Sequence, residues 1–174
     1  IVAAFFGILG IGAVAVPVFS AFGAPALAVR LQDAEAKVLI TADGVSRRGK
    51  RSPLKPEADL AVAQCPSIEK VIVFRRLGLD VPMGPKDVEW SDVVLPAPPR
   101  KAESTEAEDV ALLIYTSGTT GRPKGTVHTH AGVLAQTAKE LGYAFDVKPD
   151  DVFFWVTDIG WMMGPWEMIG VSLF

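Results

Sequence analysis

Cysteine is almost missing from this chain: Cys65 is the single one among 174 residues, so no internal disulfide can form. A lone cysteine fits a reducing, cytoplasmic compartment. Cys65 stands in a stretch that reads as helix and is given no catalytic role. Histidine is nearly as scarce. His128 and His130 stand two apart with no Cys, Asp or Glu nearby, which makes a poor metal site. They read as structural residues at a helix entrance, and no residue is assigned as a metal ligand. No charge of either sign occurs from Ile1 to Val29, a length that would suit a membrane span. Gly7, Gly10, Gly12, Pro17, Ser20, Gly23 and Pro25 punctuate that run, so no span is expected. Positive charge is not in excess either. The net charge of −3 gives nucleic acid and anionic membrane nothing general to hold. There is no internal repeat, and the one biased tract is LPAPPRKAESTEAED. At 49% hydrophobic and 21% charged residues the chain is globular, long enough for one sizeable core or a large part of a bigger one.

What is present centres on Tyr115–Gly125, YTSGTTGRPKG. Val110–Tyr115, VALLIY, is a continuous apolar run of buried-strand length. It delivers the chain into a loop of glycines, hydroxyls and one lysine. Glycine lets backbone N–H groups approach anionic oxygens closely. The hydroxyls of Thr116, Ser117, Thr119 and Thr120 add donors, and Lys124 adds a compact positive charge. The composition suits a polyphosphate. It is not the GxxxxGK[ST] loop, because Gly125 follows Lys124, and Pro123 argues against the loop running straight into a helix. The whole string resembles the phosphate loop of acyl-adenylate-forming enzymes, and the following TVHTHAGVLAQ resembles the acyl-CoA synthetase branch.

Upstream, Ile1–Leu9 is expected to be a helix, Val14–Ser20 a strand, Pro25–Ala36 a helix, and Lys37–Thr41 a buried strand. Two strands around a helix imply a βαβ unit with parallel pairing. Gly10, Gly12 and Ala15 match G-x-G-x-x-A, with Glu35 at a plausible ribose distance. Pro17 falls where the helix of a dinucleotide site should run, so the match is set aside. The segment from Gly12 to Asp43 resembles acetyl-CoA synthetases instead. Thr41–Lys55 reads as a polar loop carrying Arg47, Arg48, Lys50, Arg51 and Lys55, a local positive site in an acidic chain. Pro56–Gln64 is expected to be helical, with Glu57 and Asp59 in its first turn, and Val71–Phe74 a strand. Leu77–Glu108 reads as a surface excursion with Trp90 packed back. After the loop come a short strand (Thr126–Thr129), a helix (Ala131–Tyr143), a strand (Val152–Val156), and TDIGWMMGPW leading into a last helix.

The resemblance implies a fold and a chemistry. The fold is α/β, with βα units and a largely parallel sheet, part of the large N-terminal domain of an adenylate-forming enzyme. The chain begins and stops in apolar runs, so residues 1–174 are read as a partial AMP-binding domain, without the C-terminal domain, that folds poorly and does not catalyse alone. The reaction implied joins a small carboxylate, such as acetate, to CoA at the expense of ATP, through an acyl-adenylate and pyrophosphate, with Mg²⁺ shared by the phosphates. Thr116, Ser117, Gly118, Thr119, Thr120, Gly121 and Lys124 would hold the ATP phosphates, Lys124 acting on the leaving charge. Arg47, Arg48, Gly49 and Lys50 would hold the CoA nucleotide phosphates. Trp161, Met162 and Met163 would form the acyl pocket, although Met163 departs from the threonine common in short-chain enzymes. Two other classes stand beside this one: an adenylation domain that loads a carrier protein, which the basic loop disfavours, and a non-catalytic nucleotide-binding module.

Overall fold

The computed structural model describes residues 1–94, 96, 98, 100–116 and 121–174. In chain order they form α1 (Val2–Gly10), α2 (Ala24–Asp33), β1 (Val38–Ala42), β2 (Gly44–Arg47), β3 (Lys50–Pro53), α3 (Lys55–Val62), β4 (Lys70–Phe74), β5 (Asp87–Glu89) and α4 (Trp90–Val93). There follow β6 (Val110–Thr116), β7 (Lys124–Thr129), α5 (His130–Lys139), a π-helical turn (Glu140–Ala144) and α6 (Met163–Val171). The chain divides into two units, Ala21–Pro99 and the remainder, Ile1–Ser20 with Arg100–Phe174. Among the described residues no helix is long and apolar enough to cross a membrane.

The Ala21–Pro99 unit holds the parallel sheet that the α/β reading expects. Its order is β1-β4-β5, with Val38 opposite Lys70 and Val71 opposite Asp87. The crossover from β1 to β4 carries α3, which makes the βαβ unit. Ala24, Ala28 and Leu31 of α2 pack with Ala61, Cys65, Val71 and Val73 in one core. Pro25 sits in the first turn of α2, where its missing N–H costs nothing. Glu57 Oε2 accepts from the Ala24 N–H at 2.7 Å, so an acid in the first turn of α3 also closes the start of α2. Cys65 is buried, its Sγ 3.5 Å from the Ala28 carbonyl, and burial raises its thiol pKa, as for an inert structural cysteine. Trp90 packs edge-on against Phe74.

In the other unit, β6 and β7 pair antiparallel, and Phe5, Ala15, Ala111, Leu112, Ile114, Val133, Trp166 and Ile169 form the core. Thr129 caps α5 by accepting from the Gly132 N–H at 3.2 Å.

Several expectations are corrected. Val14–Ser20 is no strand: among the described residues only Ala15 makes a parallel bridge, to Leu112, with Ala15 N–H donating to Ala111 and Leu113 N–H donating to Ala15. The next donor of such a ladder belongs to position 17, and Pro17 has none. Parallel partners for β1 come from downstream instead. Thr41–Lys55 is not a loop, because β2 and β3 form a hairpin within it. Lys55 does not share its positive surface. It is fully buried, paired with Asp59 and, at 2.7 Å, with Asp87. Val152–Val156 makes no ladder among the described residues. Its alternation survives only in part: Val152, Phe154 and Val156 lie open, while the Phe153 and Trp155 rings turn towards Phe145, with Trp155 still 42% exposed. The helix after β7 stops at Lys139 and continues to Ala144 as the π-helical turn.

Candidate functional site

The apolar side chains of β6 bury Ala111, Leu112 and Ile114, which fixes the strand and leaves its C-terminal end at the surface. β7 returns alongside it, so Tyr115 lies opposite Gly125 and Thr116 opposite Lys124. Pro123 keeps the returning chain out of a helix, and a strand begins at Lys124. Thr116, Gly121 and Lys124 are exposed at this end of the pair, and Gly121 has φ +84°. Ser117, Gly118, Thr119 and Thr120 lie outside the described residues. The described ends of the loop thus bring a hydroxyl and an ammonium to one mouth, an arrangement suited to anionic oxygens.

A half-open pocket of about 460 Å³ lies beside the same strand, between α5 and the start of α6. Met162, Met163 and Trp166 line it, with Val127, His128, Gln136 and Glu140 among the facing residues. Trp161 does not line it. Its ring lies 5.4 Å from that of Phe19. His128 stands edge-on to Trp166 at 5.3 Å, with Thr126 Oγ1 3.4 Å from its Nε2. Burial lowers the His128 pKa, which favours the neutral ring at pH 7. Gln136 Nε2 donates to Glu140. Glu167 is 7% exposed and neither carboxylate oxygen has a hydrogen-bond partner among the described residues. Its burial, and then the Glu140 charge, raise its pKa.

The basic residues sit on the β2–β3 hairpin. Arg47 faces Lys50 across the strands, and Arg48 and Gly49 turn the chain with φ +51° and +75°. Successive positive φ values are what a two-residue hairpin turn needs, and glycine adopts them without strain. Arg47, Arg48, Gly49 and Lys50 are all exposed. Fully buried Asp43 anchors the hairpin base, accepting from Gly44 (2.7 Å), Leu79 (2.8 Å), Arg76 (2.9 Å) and Leu77 (3.1 Å). Burial alone would raise its pKa, but these backbone bonds outweigh that and lower it.

Sequence reasoning missed Asp43, Gln136, Glu140 and Glu167. Gly132, Gln136 and Glu140 follow at intervals of four, a polar helical face that could have marked one wall of the pocket. Three of the four partners of Asp43, Arg76, Leu77 and Leu79, lie more than thirty residues away in sequence and left no local signal. Among the described residues, no group of three or more His, Cys, Asp and Glu side chains could hold a metal ion.

Comparison with known proteins bears on this geometry. The sequence profile of the family described as "AMP-binding enzyme" matches residues 1–174. The chain is 47% identical over 156 residues to an acetyl-coenzyme A synthetase of Methanothrix thermoacetophila, covering 88% of this chain and 24% of that protein. It is 49% identical over 152 residues to an acetyl-coenzyme A synthetase of Mycobacterium tuberculosis, covering 84% and 23%. Among solved structures, acetoacetyl-CoA synthetase from Streptomyces lividans superposes with a TM-score of 0.90 at 30% identity, over 98% of this chain and 26% of that one. The chain thus spans about a quarter of the length of the curated relatives it matches.

Proposed function

Because the chain belongs to the AMP-binding enzyme family, we propose that it supplies the phosphate-gripping part of an ATP-dependent acyl-CoA synthetase, within a larger N-terminal domain. A small carboxylate attacks the α-phosphorus of ATP and expels pyrophosphate, giving an acyl-adenylate. The CoA thiol then attacks the acyl carbon, expels AMP and leaves a thioester and a proton. The observation that carries this reading is the pairing of Thr116 with Lys124, which sets a lysine at the mouth of a loop of glycines and hydroxyls.

The first step asks the protein mainly for positioning and for neutralisation of charge growing on the departing phosphates. Thr116, Ser117, Thr119 and Thr120 would donate hydroxyls, Gly118 and Gly121 close backbone approach, and Lys124 the positive charge. Mg²⁺ fits this donor set as a partner of the phosphate oxygens, neutralising their charge when bound. Exposed Arg47, Arg48 and Lys50, with Gly49 at the turn, would receive the phosphates of CoA, lysine as a point charge and arginine bidentately. Met162, Met163 and Trp161 would shape the acyl side, where the match to acetyl- and acetoacetyl-CoA synthetases supports a short-chain acid.

The test is carboxylate-dependent exchange of labelled pyrophosphate into ATP by the full-length protein, with and without CoA. Lys124→Ala should cut the exchange rate by about a hundredfold or more at saturating ATP, the usual loss for one contact made to transition-state charge. An unchanged rate would remove Lys124 from this role. Exchange followed by acyl transfer to a carrier protein and never to CoA would move the chain to the carrier-loading class.

A further inference from the structure

The turn that carries Trp161 and Met162 is held by a residue outside the pocket. Asp158 accepts from the Gly160 N–H at 2.9 Å and from the Ser20 N–H at 3.4 Å, and the Ser20 hydroxyl also donates to it. Trp161 N–H donates to the Asp158 carbonyl and Gly164 N–H to the Trp161 carbonyl, both at 3.0 Å, so residues 158–164 form consecutive tight turns running into α6. The turn presses on the Val18–Ser20 segment. A Cβ at Gly160 would overlap the backbone of Val18 and Phe19, so only glycine permits this approach. The Phe19 and Trp161 rings then meet at 5.4 Å and 50°. Ser20 and Asp158 are 138 positions apart, yet one carboxylate holds both segments.

We infer that Asp158 and Ser20 form a latch that positions the Trp161–Met163 turn, and so sets the shape of the acyl side of the site. The inference rests on the functional reading for the meaning of that turn, and on the hydrogen bonds and ring contact for the latch itself. Neither residue touches the pocket, so both are positioning residues. The latch holds the far end of Val14–Ser20, where no ladder runs among the described residues: Phe19 and Ser20 are fixed by ring and hydrogen-bond contacts to the 158–161 turn.

Loss of the latch should loosen substrate and transition state alike, which raises KM and spares kcat. In the full-length protein, Ser20→Ala should raise KM for the carboxylate roughly threefold to tenfold. Asp158→Ala should raise it roughly tenfold to a hundredfold, because it removes the acceptor of all three hydrogen bonds where Ser20→Ala removes one donor. In both, kcat for pyrophosphate exchange should stay within about twofold. Asp158→Asn keeps the acceptor oxygen for Gly160 and should recover most of the loss, which a general defect in folding would not do. An independent readout is the emission of Trp161, taken as the difference between each protein and its Trp161→Phe counterpart. It should shift to longer wavelength when Asp158 or Ser20 is replaced. Exposed Ser20 tolerates truncation, so Ser20→Ala decides the matter even if Asp158→Ala does not fold. Unchanged KM in an active enzyme, or unchanged Trp161 emission, overturns the latch. If the unsubstituted protein shows no carboxylate-dependent exchange, the functional reading falls, and the Trp161 difference spectrum still upholds or overturns the latch.

Discussion

The two units treat buried charge in opposite ways. In Ala21–Pro99 the carboxylate of Asp43 takes four backbone N–H groups, and the ammonium of Lys55 meets Asp59 and Asp87. In the other unit Glu167 is buried beside Glu140, with neither oxygen bonded among the described residues. A buried charge stabilises only when its partners make up for lost water. At Asp43 and Lys55 the first unit therefore contains its own electrostatic solution. The second carries a cost beside its pocket, along with open apolar side chains at Val152, Phe154 and Val156. The ordering also differs in kind. Asp43 and Lys55 tie loops and strands together within a parallel sheet, whereas Glu167 does no such tying.

The comparison predicts its largest effect at Lys55. Burial alone would pull this ammonium down, but the bonds and charges of Asp59 and Asp87 hold its pKa above the ordinary value. Lys55→Met leaves the almost fully buried Asp87 without its cation. Breaking a buried pair in this way costs about 3–5 kcal/mol. Chemical denaturation of the full-length protein should show a loss of that order. A loss below about 1 kcal/mol would mean that the unit does not depend on the pairing.

Glu167 should respond in the opposite direction. Its pKa is raised above the ordinary 4.5, first by burial and then by Glu140, so the folded chain holds that proton more tightly than the unfolded one. The stabilising contribution of the protonated acid is complete below pH 4.5 and is lost as pH rises through the folded value. Glu167→Gln removes the charge and keeps the shape. It should stabilise the protein by about 1–3 kcal/mol at pH 7 and by little below pH 4.5, as measured by denaturation across that range. Destabilisation at pH 7 would show that a cation from outside the described residues pairs with Glu167, and would bring the two units into line.

Much of this architecture was legible because it rests on local pattern. The apolar runs VALLIY, KVLIT and VIVF mark β6, β1 and β4, and Pro25 marks the start of α2. The β2–β3 hairpin was hidden because, beyond Gly44 and Val45, its residues are polar and exposed, without the alternation of a half-buried strand. Its one signal is Arg48-Gly49, a pair suited to a two-residue turn. β5 is three residues long, too short to show a period. Val152–Val156 shows that alternation states which side chains share a face and leaves open whether a partner strand lies alongside. For the site, the mouth formed by Thr116 and Lys124 follows from strand, proline and strand in succession. The pocket does not, since it needs the α5 face and the start of α6 to meet, and that meeting is tertiary.

The smallest expected effect on stability separates binding from folding within the Ala21–Pro99 unit. Arg47 and Lys50 are exposed on the hairpin, whose base is held by Asp43 and not by its tip. Replacing both with alanine should leave stability within about 0.5 kcal/mol, as usual for exposed surface positions. If these two exposed cations meet the CoA phosphates as proposed, KM for CoA should rise roughly tenfold. That rise should shrink as salt screens the contact in the unsubstituted protein. Pyrophosphate exchange without CoA should be unaltered, because in the proposed reaction only the second half brings CoA to the protein. The contrast with Lys55→Met would then be direct: a cation of the same stretch of sequence would control folding when buried and ligand affinity when exposed. Equal CoA dependence in the doubly substituted and unsubstituted proteins would return the hairpin to a solvated surface feature, and a large loss of stability would show that its tip helps hold the unit together.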